Sequence, residues 1–329
     1  MGILALQINS ANADPITELR SLSVFKDADL AKLSGGEVLA ARGAAVSSGR
    51  ALSVESAYII RAPLKTAVGL QQRWNPNRHP ELRVYYQADL TGKPSDFQRL
   101  ESLPSNSSVK TFVEATLRLP GDASKLQLSQ AEARSFVPGG STSGTVPASV
   151  GNFWTKVLTE REQSFVSGGL SAAAPYETTG VTIRPGDEVS QLVKDSSKVK
   201  TQFSGLISST PIGGGKGSLP GTPYWQVFEA DGQAAVTLGS SYGKPVADGW
   251  QLADLQYYAS SGVYALTAFY QLWPVQLDGK EVTLVWRVDL TSASLLGNLR
   301  GVERLGSGAA MMREVQKSVK AFLRDVNGS

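Results

Sequence analysis

Residues 262–290 read GVYALTAFYQLWPVQLDGKEVTLVWRVDL and predict a long β-hairpin. Asp278-Gly279 is the dipeptide best suited to a two-residue type I′ turn, because both positions adopt a positive φ at low cost. Counting back from this turn gives the cross-strand pairs Leu277–Lys280, Trp273–Leu284, Gln271–Trp286, Tyr270–Arg287 and Phe269–Val288. Both faces of the hairpin are largely apolar. Such strands are either sandwiched between two layers or have one face toward a cavity.

The same hairpin supplies the candidate binding residues. Tyr270, Arg287 and Asp289 are expected on one face, together with Tyr264 and Leu272. An arginine and an aspartate among aromatic side chains could form a buried ion pair that positions a polar ligand head, and the alternative is a surface pair at the end of a strand. The full candidate set for the wall of a cavity is Tyr264, Tyr270, Leu272, Trp273, Trp286, Arg287 and Asp289.

The pattern around the hairpin extends it into a larger sheet. Five strand-like runs follow one another from 224 to 290, separated by short turn signals, and predict an antiparallel meander. Apolar residues at helical spacing in SGAAMMREVQKSVKAFLRDV, residues 307–326, predict a long amphipathic helix that packs on this sheet. Earlier in the chain, 36–43 and 53–62 read as strands, and Pro63 can open a helix.

Two segments carry helical rather than strand signals. Helices are expected near the N-terminus, one beginning at Asp14-Pro15 and one within 26–36. Between 100 and 222, helices are expected at 149–166 and at 187–208, the second with Asp187 as its N-cap. The Gly-, Ser- and Pro-rich stretches beside them are expected to be loops.

Composition excludes several classes of chemistry. The 329 residues are 41% hydrophobic and can bury a sizeable core. Cysteine is absent and histidine occurs once, which excludes disulfides, thiolate nucleophiles and histidine-rich metal sites. The formal charge of +3 is spread along the chain without a basic stripe, so no nucleic-acid partner is expected. No metal or other cofactor is expected.

Short motifs give no catalytic signature. GGGKGS at 213–218 fails the phosphate-loop spacing, because Thr210 and Gly217 stand where Gly and Ser or Thr are needed. His79 lies between prolines and asparagines, a setting typical of a turn or a cleft rim rather than of a catalytic histidine held by a carboxylate.

Two stretches resemble the START-like, or helix-grip, superfamily. VESAYIIRAPLKTAVGLQQRWNPNRHPEL, residues 54–82, is similar to its opening strand, proline-initiated helix and tryptophan-containing turn. The late meander ends in LVWRVDL, residues 284–290, and leads through a connection into the C-terminal helix. The resemblance covers about 50–90 and 224–326. It implies an α+β fold in which a curved antiparallel sheet wraps around the C-terminal helix, leaving a cavity for lipids, sterols or aromatic polyketides.

On this interpretation, residues 1–50 form an N-terminal helical extension and 51–329 one START-like domain, with a large helical and loop insertion at about 100–222. The expected function is non-catalytic binding or carriage of a hydrophobic or amphipathic small molecule in an internal cavity. One alternative is a cyclase- or hydrolase-type enzyme using carboxylates such as Asp289 or Glu177. The other is an envelope structural protein without a ligand.

The N-terminal sequence bears on location. Ala11-Asn12-Ala13 before Asp14 is the small-x-small pattern of a signal-peptidase site, but its apolar part is short and no basic region precedes it. It fits either the tail of a signal peptide that starts upstream or an ordinary frayed terminus. We expect a periplasmic or secreted protein of the bacterial envelope, with a cytoplasmic one as the alternative. No window is long and apolar enough for a transmembrane helix.

Overall fold

The structure is a computed structural model that describes residues 14–44, 46–139, 144–178, 180–298 and 301–328. The expected cleavage pattern at Ala11-Asn12-Ala13 lies outside these residues. Eight strands form a single curved antiparallel sheet, and helices pack on both of its faces. The fold is therefore α+β, as the sequence predicts.

The strands predicted at 36–43 and 53–62 are present and join the meander in the same sheet. The eight strands are β1 Leu39–Arg42, β2 Ala51–Ile60, β3 Val84–Asp89, β4 Thr222–Ala230, β5 Gln233–Val246, β6 Gly249–Ala259, β7 Val263–Leu277 and β8 Lys280–Ala293. Their order in the sheet is β1-β2-β8-β7-β6-β5-β4-β3.

The helices fall before, within and after the sheet. They are α1 Pro15–Leu22, α2 Leu30–Ser34, α3 Leu64–Arg73, α4 Ser107–Leu117, α5 Gln130–Arg134, α6 Ala148–Gly168, α7 Pro185–Asp195, α8 Ser197–Gln202, α9 Ser204–Ser209, α10 Ser294–Asn298 and α11 Gly301–Asn327. None of those described is long and apolar enough to span a bilayer.

The β7–β8 hairpin has the predicted register. Asp278 and Gly279 have φ of 50° and 74°, as a type I′ turn requires. Tyr270 pairs with Arg287, and Gln271 pairs with Trp286. The turn type fixes the register because it leaves a single way to align the two strands.

The two faces of the sheet are covered differently. On one, which we call the α11 face, α3 and α11 pack on a core that includes Leu272, Val285 and Phe322. On the opposite face, α1, α2 and the helices of the 100–222 segment bury a larger core around Trp154, Trp273 and Trp286 among others. The hairpin is thus covered on both sides, which explains why both of its faces are apolar.

One helix prediction is wrong in its bounds. The segment 187–208 is not one helix but three, α7, α8 and α9, with Ser196 and Phe203 in non-helical conformations between them. Helix α7 begins at Pro185 with Arg184 as N-cap, so Asp187 lies in the first turn rather than at the cap. Proline is favoured at the first helical position, and Pro185 sets the start two residues earlier than predicted.

Candidate functional site

A cavity of about 640 Å³ lies between the α11 face of the sheet and α11 itself. This volume falls within the range of about 300–1,000 Å³ typical of small-molecule sites. Much of its wall is apolar, built by side chains of the sheet and of α11. These include Phe228, Leu266, Ala268, Val315, Val319 and Phe322.

Helix α11 contacts the turn at 74–82, which lines one side of the cavity. The His79 Nε2 atom lies 2.9 Å from Asp325 Oδ2, and the indole N–H of Trp74 donates to the same oxygen at 2.8 Å. The Trp74 ring also packs edge-on against Phe322 at 5.6 Å. His79 itself sits between two short 3₁₀ turns, Pro76–Arg78 and Pro80–Leu82. The single histidine therefore lies in a turn, as its neighbours in the sequence predict.

The Arg287–Asp289 ion pair forms part of the polar floor of the cavity. Arg287 donates two hydrogen bonds to the Asp289 carboxylate, at 2.8 and 2.6 Å, and its guanidinium lies 5.3 Å from the centre of the Tyr270 ring. The exposed fractions of the two side chains are 16% and 5%. Burial acts to lower the pKa of Arg287, but the charge and hydrogen bonds of Asp289, together with the hydroxyls of Tyr270 and Tyr58, outweigh burial and raise it. The guanidinium is thus charged, and two of its N–H groups are bound to the Asp289 carboxylate.

A second carboxylate, Asp254 of β6, faces the same cavity. Its Oδ1 atom accepts a 2.6 Å hydrogen bond from the hydroxyl of Tyr224 on β4. Burial raises the pKa of Asp254 to about 6, although the Tyr224 hydrogen bond and the charge of Arg287 both act to lower it. Protein surrounds Asp254, yet the side chain keeps some accessible surface because it lines the cavity. At neutral pH this carboxylate is mainly ionised.

Glycine on β5 makes the Tyr224–Asp254 contact possible. Gly239 pairs with Tyr224 on one side and with Gln256 on the other, so it lies between the strands that carry the two partners. A Cβ atom at Gly239 would overlap the Tyr224 ring. The missing side chain therefore lets the tyrosine lie across β5 and reach β6.

Two further polar atoms of the wall have no hydrogen-bond partner among the described residues. They are the Thr291 hydroxyl oxygen and Gln256 Oε1, both shielded from solvent in residues that line the cavity. Thr291 is 8% exposed. A shielded polar atom without a partner is costly, and a hydrogen bond from a ligand or a water would offset that cost.

The predicted site residues separate into two groups. Tyr270, Arg287 and Asp289 line the cavity, and Leu272 packs in the core of the same face. Trp273 and Trp286 lie on the opposite face, where their indole N–H groups donate to Glu18 and Glu55. Alternation along each strand accounts for this, since Trp286 is adjacent to Arg287 and Trp273 is three residues from Tyr270.

Tyr264 also lies on the opposite face from Tyr270, contrary to the expected common face. The register shifts between Val263 and Ala265, and a shift of one residue reverses the side to which the next side chain points. Tyr264 packs instead near Tyr176, with Arg50 over its ring at 5.8 Å. It is part of the core formed with the helical layer.

Tyr224 and Asp254 are the residues that sequence reasoning missed. A signal for Asp254 is present, because it stands between Leu252 and Gln256 at alternate positions of a strand whose other residues are mostly apolar. Glu177, the other carboxylate considered, does not line the cavity; it accepts a hydrogen bond from the backbone N–H of Gln130 at the start of α5.

Comparisons with protein-family models and with curated proteins find no match for this chain, so its function is inferred from the geometry of the site. Within the described part of the chain, no group of three or more histidine, aspartate or glutamate side chains is placed to hold a metal ion.

Proposed function

We propose that the protein binds or carries a hydrophobic or amphipathic small molecule in the cavity beneath α11, without transforming it. The observation that carries this proposal is the cavity itself, about 640 Å³ with apolar walls and a polar floor. A ligand with an apolar body and one polar end matches such a lining. A purely structural envelope protein would be expected to fill this space with side chains.

The START-like resemblance forms part of the same proposal. Three features support it: β2 leads through Pro63 into α3, β8 leads through α10 into α11, and the cavity lies between the sheet and α11. In such a helix-grip arrangement the helix and the sheet share one ligand. The 100–222 segment then acts as a helical layer on the opposite face, which leaves the cavity free.

Native mass spectrometry of protein purified from its own cells tests the proposal. We expect an added mass from a bound organic molecule. Ser318→Trp adds a large ring to a residue of α11 that lines the cavity, and should remove the added mass. Lys320→Trp is the matched control, because Lys320 is exposed and lies outside the cavity wall. Equal added mass in both variants would place the molecule elsewhere and contradict the proposal.

A second candidate function is a cyclase- or hydrolase-type enzyme that uses carboxylates in the same cavity. The observation that favours it is Asp254, because burial raises its pKa to about 6 and a general acid or base works best near the ambient pH. The mass of the bound molecule distinguishes the two functions. A mass that changes during incubation with the wild type, but not with Asp254→Asn, indicates an enzyme; a constant mass indicates carriage.

A further inference from the structure

We infer that the polar end of the ligand is an organic cation, such as a protonated amine, held by the carboxylate of Asp254. This inference rests on the proposed function, because it names the class of ligand that the same cavity selects.

The charges of the cavity wall point in one direction. Among the described residues that line it, Arg287 is the single cation, and its charge is balanced by Asp289, which accepts two of its five N–H donors. The carboxylates of the wall are Asp89, Asp231, Asp254, Asp289 and Glu314. Such a lining repels an anionic head group and attracts a cationic one, because charges of one sign in a cavity surrounded by protein reinforce one another.

Asp254 is the carboxylate best placed to make the contact. One of its oxygens accepts the Tyr224 hydrogen bond, and the other has no hydrogen-bond partner among the described residues. Asp289, by comparison, is matched by Arg287 on both oxygens. An ion pair between Asp254 and a ligand cation would therefore use an acceptor that the protein leaves open.

The sheet register also provides space beside Asp254. On the neighbouring strand Ala268 pairs with both Asp254 and Asp289, so an alanine stands between the two carboxylates. All three residues line the cavity, and the alanine methyl group is the shortest of the three side chains. The next row of the sheet contributes Gln256 and Thr291, the two residues with unpartnered acceptor oxygens. An ammonium group carries up to three N–H donors and can satisfy acceptors of this kind.

Isothermal titration calorimetry with decylamine, decanol and decanoate at pH 7.5 tests the inference. Decylamine is protonated at this pH, since the pKa of a primary alkylamine is about 10. The wild type should bind decylamine at least about tenfold more tightly than decanol, because a charge-assisted hydrogen bond exceeds a neutral one by that much. Asp254→Asn should reduce this preference to less than about threefold and change decanol binding by less than about twofold. Glu160→Gln, which removes an exposed carboxylate outside the cavity wall, should keep the preference.

The outcomes separate this inference from the proposed function. If decylamine and decanol bind equally tightly, the inference that the ligand is a cation is overturned. The proposal that the cavity binds a hydrophobic molecule is then retained. If decanoate binds more tightly than the other two probes, Arg287 binds an anionic head group. That result also overturns the inference of a cationic ligand. If none of the three probes binds, both the inference and the proposed function fail.

A pH titration of the wild type provides a second measurement that does not depend on the folding of Asp254→Asn. Decylamine affinity should fall as the pH falls from 7.5 to 5, by up to about tenfold per unit once Asp254 is protonated, while decanol affinity stays constant. Constant decylamine affinity would overturn the inference.

The tyrosines near Asp254 do not interfere, because burial raises their pKa above 10. The groups facing Asp254 are Tyr224 of β4, Tyr242 of β5, Tyr270 of β7, and Arg287 and Asp289 of β8.

Discussion

Tyr224 donates its phenolic hydrogen to Asp254 across an intervening strand, at 2.6 Å, and the absence of a side chain at Gly239 makes that reach possible. The contact engages one oxygen of the carboxylate, and the other has no hydrogen-bond partner among the described residues. A single glycine on β5 thereby controls the polar floor of the proposed binding site.

Gly239→Ala should break this arrangement. The new Cβ atom would overlap the Tyr224 ring, so the ring must move and the hydrogen bond to Asp254 is lost. That hydrogen bond acts to lower the pKa of Asp254, and its loss should raise the pKa further above 6. A carboxyl ¹³C NMR titration of Asp254 measures this. As control, Gly306→Ala on α11 meets no atom within 4 Å. An unchanged Asp254 titration in Gly239→Ala would show that the tyrosine adjusts without loss.

Arg287→Ala should be strongly destabilising. It leaves the Asp289 carboxylate, which is 5% exposed, without its cation, and breaking a buried pair in this way costs on the order of 3–5 kcal/mol. Lys156→Ala is the control, because Lys156 and Glu160 form an exposed pair worth about 0–1 kcal/mol. Urea unfolding followed by circular dichroism gives both free energies. A loss for Arg287→Ala as small as that of the control would mean that water in the cavity solvates Asp289 fully.

Asp254 should make the folded protein less stable as the pH rises. The folded pKa of about 6 lies above the ordinary value of 3.8, so between these values the folded state holds a proton that the unfolded state has released. The free energy of unfolding then falls with rising pH, and the difference of about two units corresponds to about 3 kcal/mol. We expect the stability of the wild type relative to Asp254→Asn to fall by about this amount between pH 4 and pH 7. A pH-independent difference would contradict a buried, ionised Asp254.

His79→Ala should loosen the end of α11 rather than alter the cavity floor. The substitution removes the contact between His79 Nε2 and Asp325, and the ring that packs at 5.9 Å from Trp74. Losing one hydrogen bond and one ring contact costs about 1–2 kcal/mol. Hydrogen–deuterium exchange should become faster in 319–327 and stay unchanged in β6 and β8. Equal protection of 319–327 in the variant would show that the other contacts of the helix are sufficient.

The sequence predicts the parts of this fold that local chemistry determines. The Asp278-Gly279 turn sets the register of β7 and β8, and hence the Tyr270–Arg287 pair. The face of Tyr264 could not be predicted, because it depends on the register shift after Val263, which no turn residue marks.

Asp254 was missed for a related reason. The contact between Asp254 and Tyr224 can be predicted only if the registers of three strands are known. A second register shift, between Leu238 and Gly239, lies on the strand between them.

The breaks in the 187–208 segment likewise follow tertiary packing, since Phe203 is fully buried against Phe269 and Trp286. Such contacts between distant segments leave no periodic signal in the sequence.

The central claim, that a ligand occupies the cavity beneath α11, is tested most directly by isotope-filtered NOE spectroscopy with decanol and methyl-labelled protein. We predict NOEs from the decyl chain to the methyl groups of Leu266 and Val319, which line the cavity. The exposed valines Val137, Val166 and Val181 lie outside it and should show none. NOEs confined to these exposed valines, or NOEs to no methyl group at saturating decanol, would contradict the account.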